Sequence, residues 1–161
     1  MYGLRIAFAG KTHAGKTTSA NYLLRAYGFT KISFTSKLIE CAHDFFPEQF
    51  EKGEKPQQLI QELGAKMREI DRDVWVKYVM KRVEKLPKET DIVIDDLHFT
   101  NEYNAVKSLG FLVVRLDPPN EDELPYDVLL ENDGNVEDLY HKLDALMKLL
   151  IAQKQKGFTS T

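Results

Sequence analysis

Residues 4–20 read LRIAFAGKTHAGKTTSA, and this stretch decides the fold. Leu4 to Ala9 is a short apolar run, which predicts a buried β-strand. Gly10 to Thr17 spells G-x-x-x-x-G-K-T. Ser19 to Tyr27 predicts a helix that Gly28 closes. A strand, a glycine loop and a helix in that order turn the string into a phosphate-site prediction. Gly10 and Gly15 let the backbone turn tightly and meet an anion with no Cβ in the way. The backbone of Gly10, Lys11, Thr12, His13, Ala14, Gly15, Lys16, Thr17 and Thr18 then forms the cradle, and the next helix presents its positive end to the same spot. Lys16 carries a mobile ammonium to the β- and γ-phosphates. Thr17 offers a hydroxyl to Mg²⁺, which takes hard oxygen ligands. Lys11 and His13 fall where the pattern accepts any residue, so their side chains are read as solvated.

Around this stretch the composition is that of an ordinary globular domain. The chain has 161 residues, 43% of them hydrophobic and 29% charged. That length predicts a single domain, 1–161, with a core that needs no disulfide or metal. A net charge of −3 gives no general attraction to a nucleic acid polymer or an anionic membrane. The single cysteine, Cys41, has no internal partner and is read as a small core hydrophobe, as expected in a reducing cytoplasm. No cleavable signal or spanning segment is visible, and a strand so near Met1 is expected to leave no room for a targeting peptide.

Strands are predicted at Leu4–Ala9, Lys31–Phe34, Asp91–Asp95, Phe111–Leu116 and Tyr126–Leu130. Most are apolar runs, the pattern of strands covered on both faces. Glycine follows a helix at Gly28 and again at Gly110. The sum is an α/β sandwich around a parallel sheet.

Between the second and third strands, residues 36–86 read as wholly helical. Leu59, Ile60, Leu63, Met67, Ile70 and Val74 fall on one arc of a helix and predict a core-facing stripe. Arg68, Arg72 and Trp75 gather beside that arc if the helix is continuous. Asp71 or Asp73 is the right residue type to cap a new helix near Val74. Two arginines beside a phosphate loop suggest a second phosphate-binding patch, since guanidinium offers phosphate a two-pronged contact. The third strand ends in IVIDD. Asp95 and Asp96 are both candidates to face Thr17 across a Mg²⁺ ion, and adjacent strand residues point to opposite faces. Thr100 or Asn101 is the expected cap of the following helix. Glu131 to Gly134 reads as a turn. A last helix is expected from Val136 to about Ala152, followed by a frayed polar tail from Gln153.

Five blocks, GKTHAGKTT, SFTSKL, LGAKMREIDRDVWV, VIDDLHFTNE and LLENDGNVEDLYHKL, together resemble the phage-type deoxynucleoside monophosphate kinases of the P-loop class. The resemblance runs from about residue 4 to about residue 147. It implies a three-layer P-loop kinase fold with a five-stranded parallel sheet and a helical acceptor-binding insert at about 36–86. It implies ATP with Mg²⁺ on the loop and a (deoxy)nucleoside monophosphate under the insert. Lys16, Arg68 and Asp96 are then the catalytic set, and Thr17, Asp95 and Asp96 the metal set. Lys37, Arg68, Arg72, Asp73 and Trp75 border the acceptor, and Asn132 and Gly134 lie near the adenine. A homodimer is compatible with this reading.

Two departures stand out. His98 occupies a position where the family usually has arginine. The short lid, at about 117–127, contains no Lys or Arg, although similar kinases place basic residues there. Two alternatives follow: a small-metabolite kinase similar to dephospho-coenzyme A kinase, or a nucleotide-binding module without transfer.

Overall fold

The computed structural model describes residues 2–120 and 123–159. Arg5–Ala9 forms β1, the central strand of a five-stranded parallel sheet of order β2-β3-β1-β4-β5. The other strands are β2 (Thr30–Ile32), β3 (Ile92–Leu97), β4 (Leu112–Arg115) and β5 (Val128–Leu129). Helices flank the sheet in a three-layer α/β arrangement, as the alternation of apolar runs and helical segments predicts.

The chain divides into two compact units, Met1–Lys31 with Lys88–Thr161, and Ile32–Pro87. In the first, α1 (Lys16–Tyr27), α5 (Thr100–Ser108) and α6 (Val136–Thr159) accompany the sheet. Ile6 and Phe8 of β1, Val93 of β3 and Val114 of β4 pack with Ala20 and Leu23 of α1 and Leu139, Leu143 and Met147 of α6. Phe8 is fully buried there, so Phe8→Ala would cost about 3–5 kcal/mol. The tyrosines of α1 fasten it to α6. The hydroxyls of Tyr22 and Tyr27 both donate to Asp144 Oδ1 at 2.7 Å. Tyr22 also stacks on Tyr140 with ring centroids 4.1 Å apart.

The second unit is helical: α2 (Ser36–Phe45), a 3₁₀ turn at Pro47–Phe50, α3 (Gln57–Ile70) and α4 (Val74–Lys85). It is not wholly helical as expected, because 51–56 and 71–73 interrupt it. The second break corrects the apolar stripe. Leu59, Ile60, Leu63 and Met67 are half-buried, but Ile70 is 87% exposed at the end of α3. Asp71 ends that helix: its Oδ1 accepts from the Asp73 amide at 3.0 Å, an Asx turn that starts α4 with Asp73 in the cap position. Gly64 is buried where α3 meets α2, and a Cβ there would lie 2.9 Å from Leu38 Cδ2.

Other expectations shift at element ends. Helix α1 begins at Lys16, three residues before Ser19, because the loop runs directly into it. The second strand is Thr30–Ile32 and excludes Ser33 and Phe34. Phe99 caps α5 in place of Thr100 or Asn101, because the Glu102 carboxylate collects the amides of His98 and Phe99, each at 2.9 Å. The last helix continues to Thr159, where a frayed tail was expected. Asn135 and Asp138 start it with reciprocal bonds of 2.9 and 3.1 Å, a capping box. Cys41 is half-buried, less enclosed than a core residue. Of the expected lid, Glu121 and Asp122 lie outside the described residues.

Candidate phosphate-binding site

Three unusual backbone angles shape the loop. Gly10 has φ 149°, His13 φ 68° and Gly15 φ 102°. Side chains other than glycine seldom enter this region, so the glycines are required by conformation. Gly15 is required by space as well. A Cβ there would come within 2.7 Å of Asn132 Nδ2. Asn132 donates through that nitrogen to the Ala14 carbonyl at 2.9 Å. The turn before α6 therefore clasps the loop from behind. The turn Ala14 N–H to Lys11 carbonyl, 3.0 Å, closes the loop from within. Lys16 Nζ lies across it and donates to the Gly10 carbonyl at 2.9 Å. With α1 starting at Lys16, the free amides of its first turn face the cradle, where the helix dipole favours an anion.

Two hard oxygens meet at the start of α1. Thr17 Oγ1 donates to Asp95 Oδ2 at 3.4 Å, a long contact. Asp95 is 8% exposed, and Lys31 Nζ stands 3.9 Å from the same oxygen. The resemblance pointed to Asp96, while the end of the apolar run pointed to Asp95. The carboxylate beside Thr17 is that of Asp95.

The register of the sheet explains this. Ala7 pairs with Ile94 and Ala9 with Leu97, so β3 carries one residue more than β1 at Asp95–Asp96. The strand does not end there; it bulges. A bulge re-aims the side chains at its own position, which simple alternation could not foresee.

The donor set fits a nucleotide with Mg²⁺. Among the described residues no group of three or more His, Cys, Asp or Glu gathers to hold a metal alone. One hydroxyl and one carboxylate beside a phosphate cradle suit an ion that keeps waters and borrows phosphate oxygens.

The helical unit holds the remaining predicted residues. Arg68 is half-buried in the last turn of α3 and folds back over Gly64, where a Cβ would lie 3.7 Å from its guanidinium. Arg72 is exposed in the three-residue break, and Asp73 caps α4. Trp75 is 6% exposed in the first turn of α4, a core position. Lys37 pairs with Glu40 one turn along α2 at 3.1 Å, which raises its pKa. Arg68, Arg72, Asp73 and Trp75 are thus gathered at one helix junction, and Lys37 is carried on a different helix.

Sequence reasoning missed Arg115. It ends β4, is 3% exposed, and lies with Glu123 in a cleft next to Gly10 and Lys11. An arginine closing the run LVVR was the available signal, since charge inside a doubly covered strand needs a reason.

No family model matches the chain. Among curated proteins, one from Acanthamoeba polyphaga mimivirus, provisionally described as a deoxynucleotide monophosphate kinase, is 23% identical over 86% of this chain and 93% of its own length. Among solved structures, TT1252 from Thermus thermophilus superposes with a TM-score of 0.56 at 16% identity, covering 95% of this chain and 98% of its own. A gluconokinase from Sinorhizobium meliloti superposes with a TM-score of 0.51 at 14% identity, covering 94% and 98%. The chain has the fold of P-loop nucleotide and small-molecule kinases.

Proposed function

We propose that this chain is an ATP-dependent phosphotransferase acting on a small acceptor. The observation that carries the reading is the convergence of Thr17 and Asp95 beside a loop that turns through Gly10 and Gly15 at positive φ. In this reading the loop amides and Lys16 hold the donor phosphates, and Lys16 exchanges the Gly10 carbonyl for the β- and γ-oxygens. Thr17 and Asp95 would hold Mg²⁺ or its waters, which when bound would supply screening of the charge that builds on the transferring group. Asn132 keeps Ala14 and Gly15 in place behind the phosphates. Little covalent chemistry falls to the protein; positioning and charge neutralisation supply the acceleration.

Two acceptor classes remain in play. The mimivirus relative supports a (deoxy)nucleoside monophosphate. Its phosphate would lie on Arg68, with Arg72 and Lys37, while Asp73 caps α4 and Trp75 supports that wall from the core. A small metabolite is equally at home on this fold, as the gluconokinase illustrates. ADP release from Mg-ATP, measured across nucleoside monophosphates, dephospho-coenzyme A and sugar acids, separates them. Stimulation confined to monophosphates supports the first, stimulation by a metabolite supports the second, and ATP binding with no stimulation by any acceptor makes the chain a binding module.

A further inference from the structure

A cleft of about 310 Å³ opens beside the first residues of the phosphate loop. Its floor follows from the sheet register. Ala9 pairs with Arg115 on one side and with Leu97 on the other, so these three form one row across the sheet and share a face. Ala9, in the middle, is too small to fill the row. Lys11, His98 and Thr100 line the walls, and Thr100 opens α5, whose positive helix end is turned to the same space.

Arg115 dominates this floor. Its Nε donates to the Asp117 carbonyl at 3.0 Å, and its Nη2 pairs with Asp117 Oδ1 at 3.1 Å and with Glu123 Oε2. A buried guanidinium needs one counter-charge. Asp117, two residues along the chain, already supplies it. Glu123 is a second, half-buried carboxylate that also lines the cleft. Its carboxyl is held below the usual range, first by the Asn120 amide and then by the positive charges of Arg115 and Lys11. The place where Glu123 ends is therefore one that favours an anion.

We propose that this cleft binds a phosphoryl dianion on Arg115 and Lys11, and that the Glu123 carboxylate occupies the anion's place until it arrives. The fork of Arg115 suits phosphate oxygens, and exchanging one anion for another keeps the buried guanidinium paired. Two sources share this chemistry: the terminal phosphate of a nucleotide on the loop, and the phosphate of an acceptor. The proposal rests on reading the loop as a nucleotide site, and it supplies the cation that the residues after β4 lack.

Calorimetric titration of the wild type, Glu123→Gln and Arg115→Lys tests it, with ADP, ATP and inorganic phosphate as probes. Glu123→Gln removes the internal competitor with almost no change of shape, so its fold is not at risk. It should bind ATP or inorganic phosphate about tenfold more tightly and leave ADP affinity unchanged. Arg115→Lys should weaken the same probe, with thermal melting as the check on its fold. A gain for ATP, with phosphate excluded from the ATP-saturated protein, assigns the cleft to the donor's terminal phosphate. A phosphate gain that persists in the ATP-saturated protein assigns it to the acceptor. Normal ADP binding with no change in ATP or phosphate affinity for Glu123→Gln overturns the proposal and leaves the loop reading standing. If the wild type fails to bind ADP, the loop reading falls, and the phosphate titrations still decide the cleft.

Discussion

In the phosphate loop the backbone makes the candidate site; at the junction of α3 and α4 side chains make it. Gly10 and Gly15 matter because of φ and because Asn132 and Asp117 crowd the positions their Cβ atoms would take. Arg68 and Trp75 stand on regular helices that many sequences could form, and Arg72 lies in the short break between them. A backbone site constrains spacing strictly, so it writes a motif. A side-chain site constrains only what faces the ligand, so it leaves scattered residues. The first region announces its chemistry, while the second needs a test of each residue.

The sharpest test of the backbone side is Lys16→Ala. Among the described residues its ammonium donates to a loop carbonyl, so the fold should survive. Turnover should fall by at least about a hundredfold, the loss seen when a preorganised donor to developing charge is removed. Circular dichroism reporting an unfolded chain would make Lys16 structural.

On the side-chain side, Arg68→Ala should raise the acceptor's KM by about ten- to a hundredfold. That corresponds to the roughly 1.5 to 3 kcal/mol of a charge-assisted contact. ATP affinity measured without acceptor should hold. Lysine at this position should recover part of the loss, since it keeps the charge but not the fork. Weakened ATP binding with a normal acceptor KM would move Arg68 to the donor, and the contrast between the two regions would dissolve.

Asp95→Asn and Asp96→Asn probe the bulge between these extremes. Asp95→Asn should raise the Mg²⁺ concentration for half-maximal rate by about tenfold or more, and Asp96→Asn should do so less. Equal effects would mean that the contact between Asp95 and Thr17 is unrelated to the metal.

A smaller effect belongs to the packing beneath the loop. The Asp144 hydrogen bond pushes the Tyr27 pKa up to about 12, from an ordinary 10.0. The folded state therefore holds that proton more tightly than the unfolded chain does. The resulting stability is complete below pH 10 and is lost as the pH rises toward 12. Asp144 behaves in the opposite sense. The tyrosine hydroxyls hold its carboxyl below the usual range, so its contribution is complete above that range and is lost in acid. Tyr27→Phe should cost about 1 kcal/mol at neutral pH, or about 2–4 °C in Tm, and flatten the alkaline decline. Melting curves at neutral and alkaline pH read both; an unchanged alkaline limb would remove Tyr27 from the titration.

The sheet and the loop were legible because apolar runs and glycine spacing are local signals. Strand order, helix ends and the exposure of Ile70 depend on what packs against them, and no window of sequence contains that. Asp71 shows the limit: its side chain was recognised as a helix starter, yet the stripe through Ile70 and Val74 presumed no break. The choice between Asp95 and Asp96 turned on one extra residue in β3, visible only in register with β1. Arg115 was hidden for a related reason. Its meaning comes from Ala9 and Leu97, neighbours across the sheet and distant along the chain.

The clasp of Asn132 on Ala14 joins residues 118 apart. A chain is synthesised from its N-terminus, and contacts of such long range form late. The loop emerges first, but the side chain that braces it arrives with the last strand. A nascent chain released before Asn132 would carry the complete phosphate motif and still lack a rigid cradle. On the proposed reading of the loop, nucleotide capture would thus be a report that the sheet has been finished.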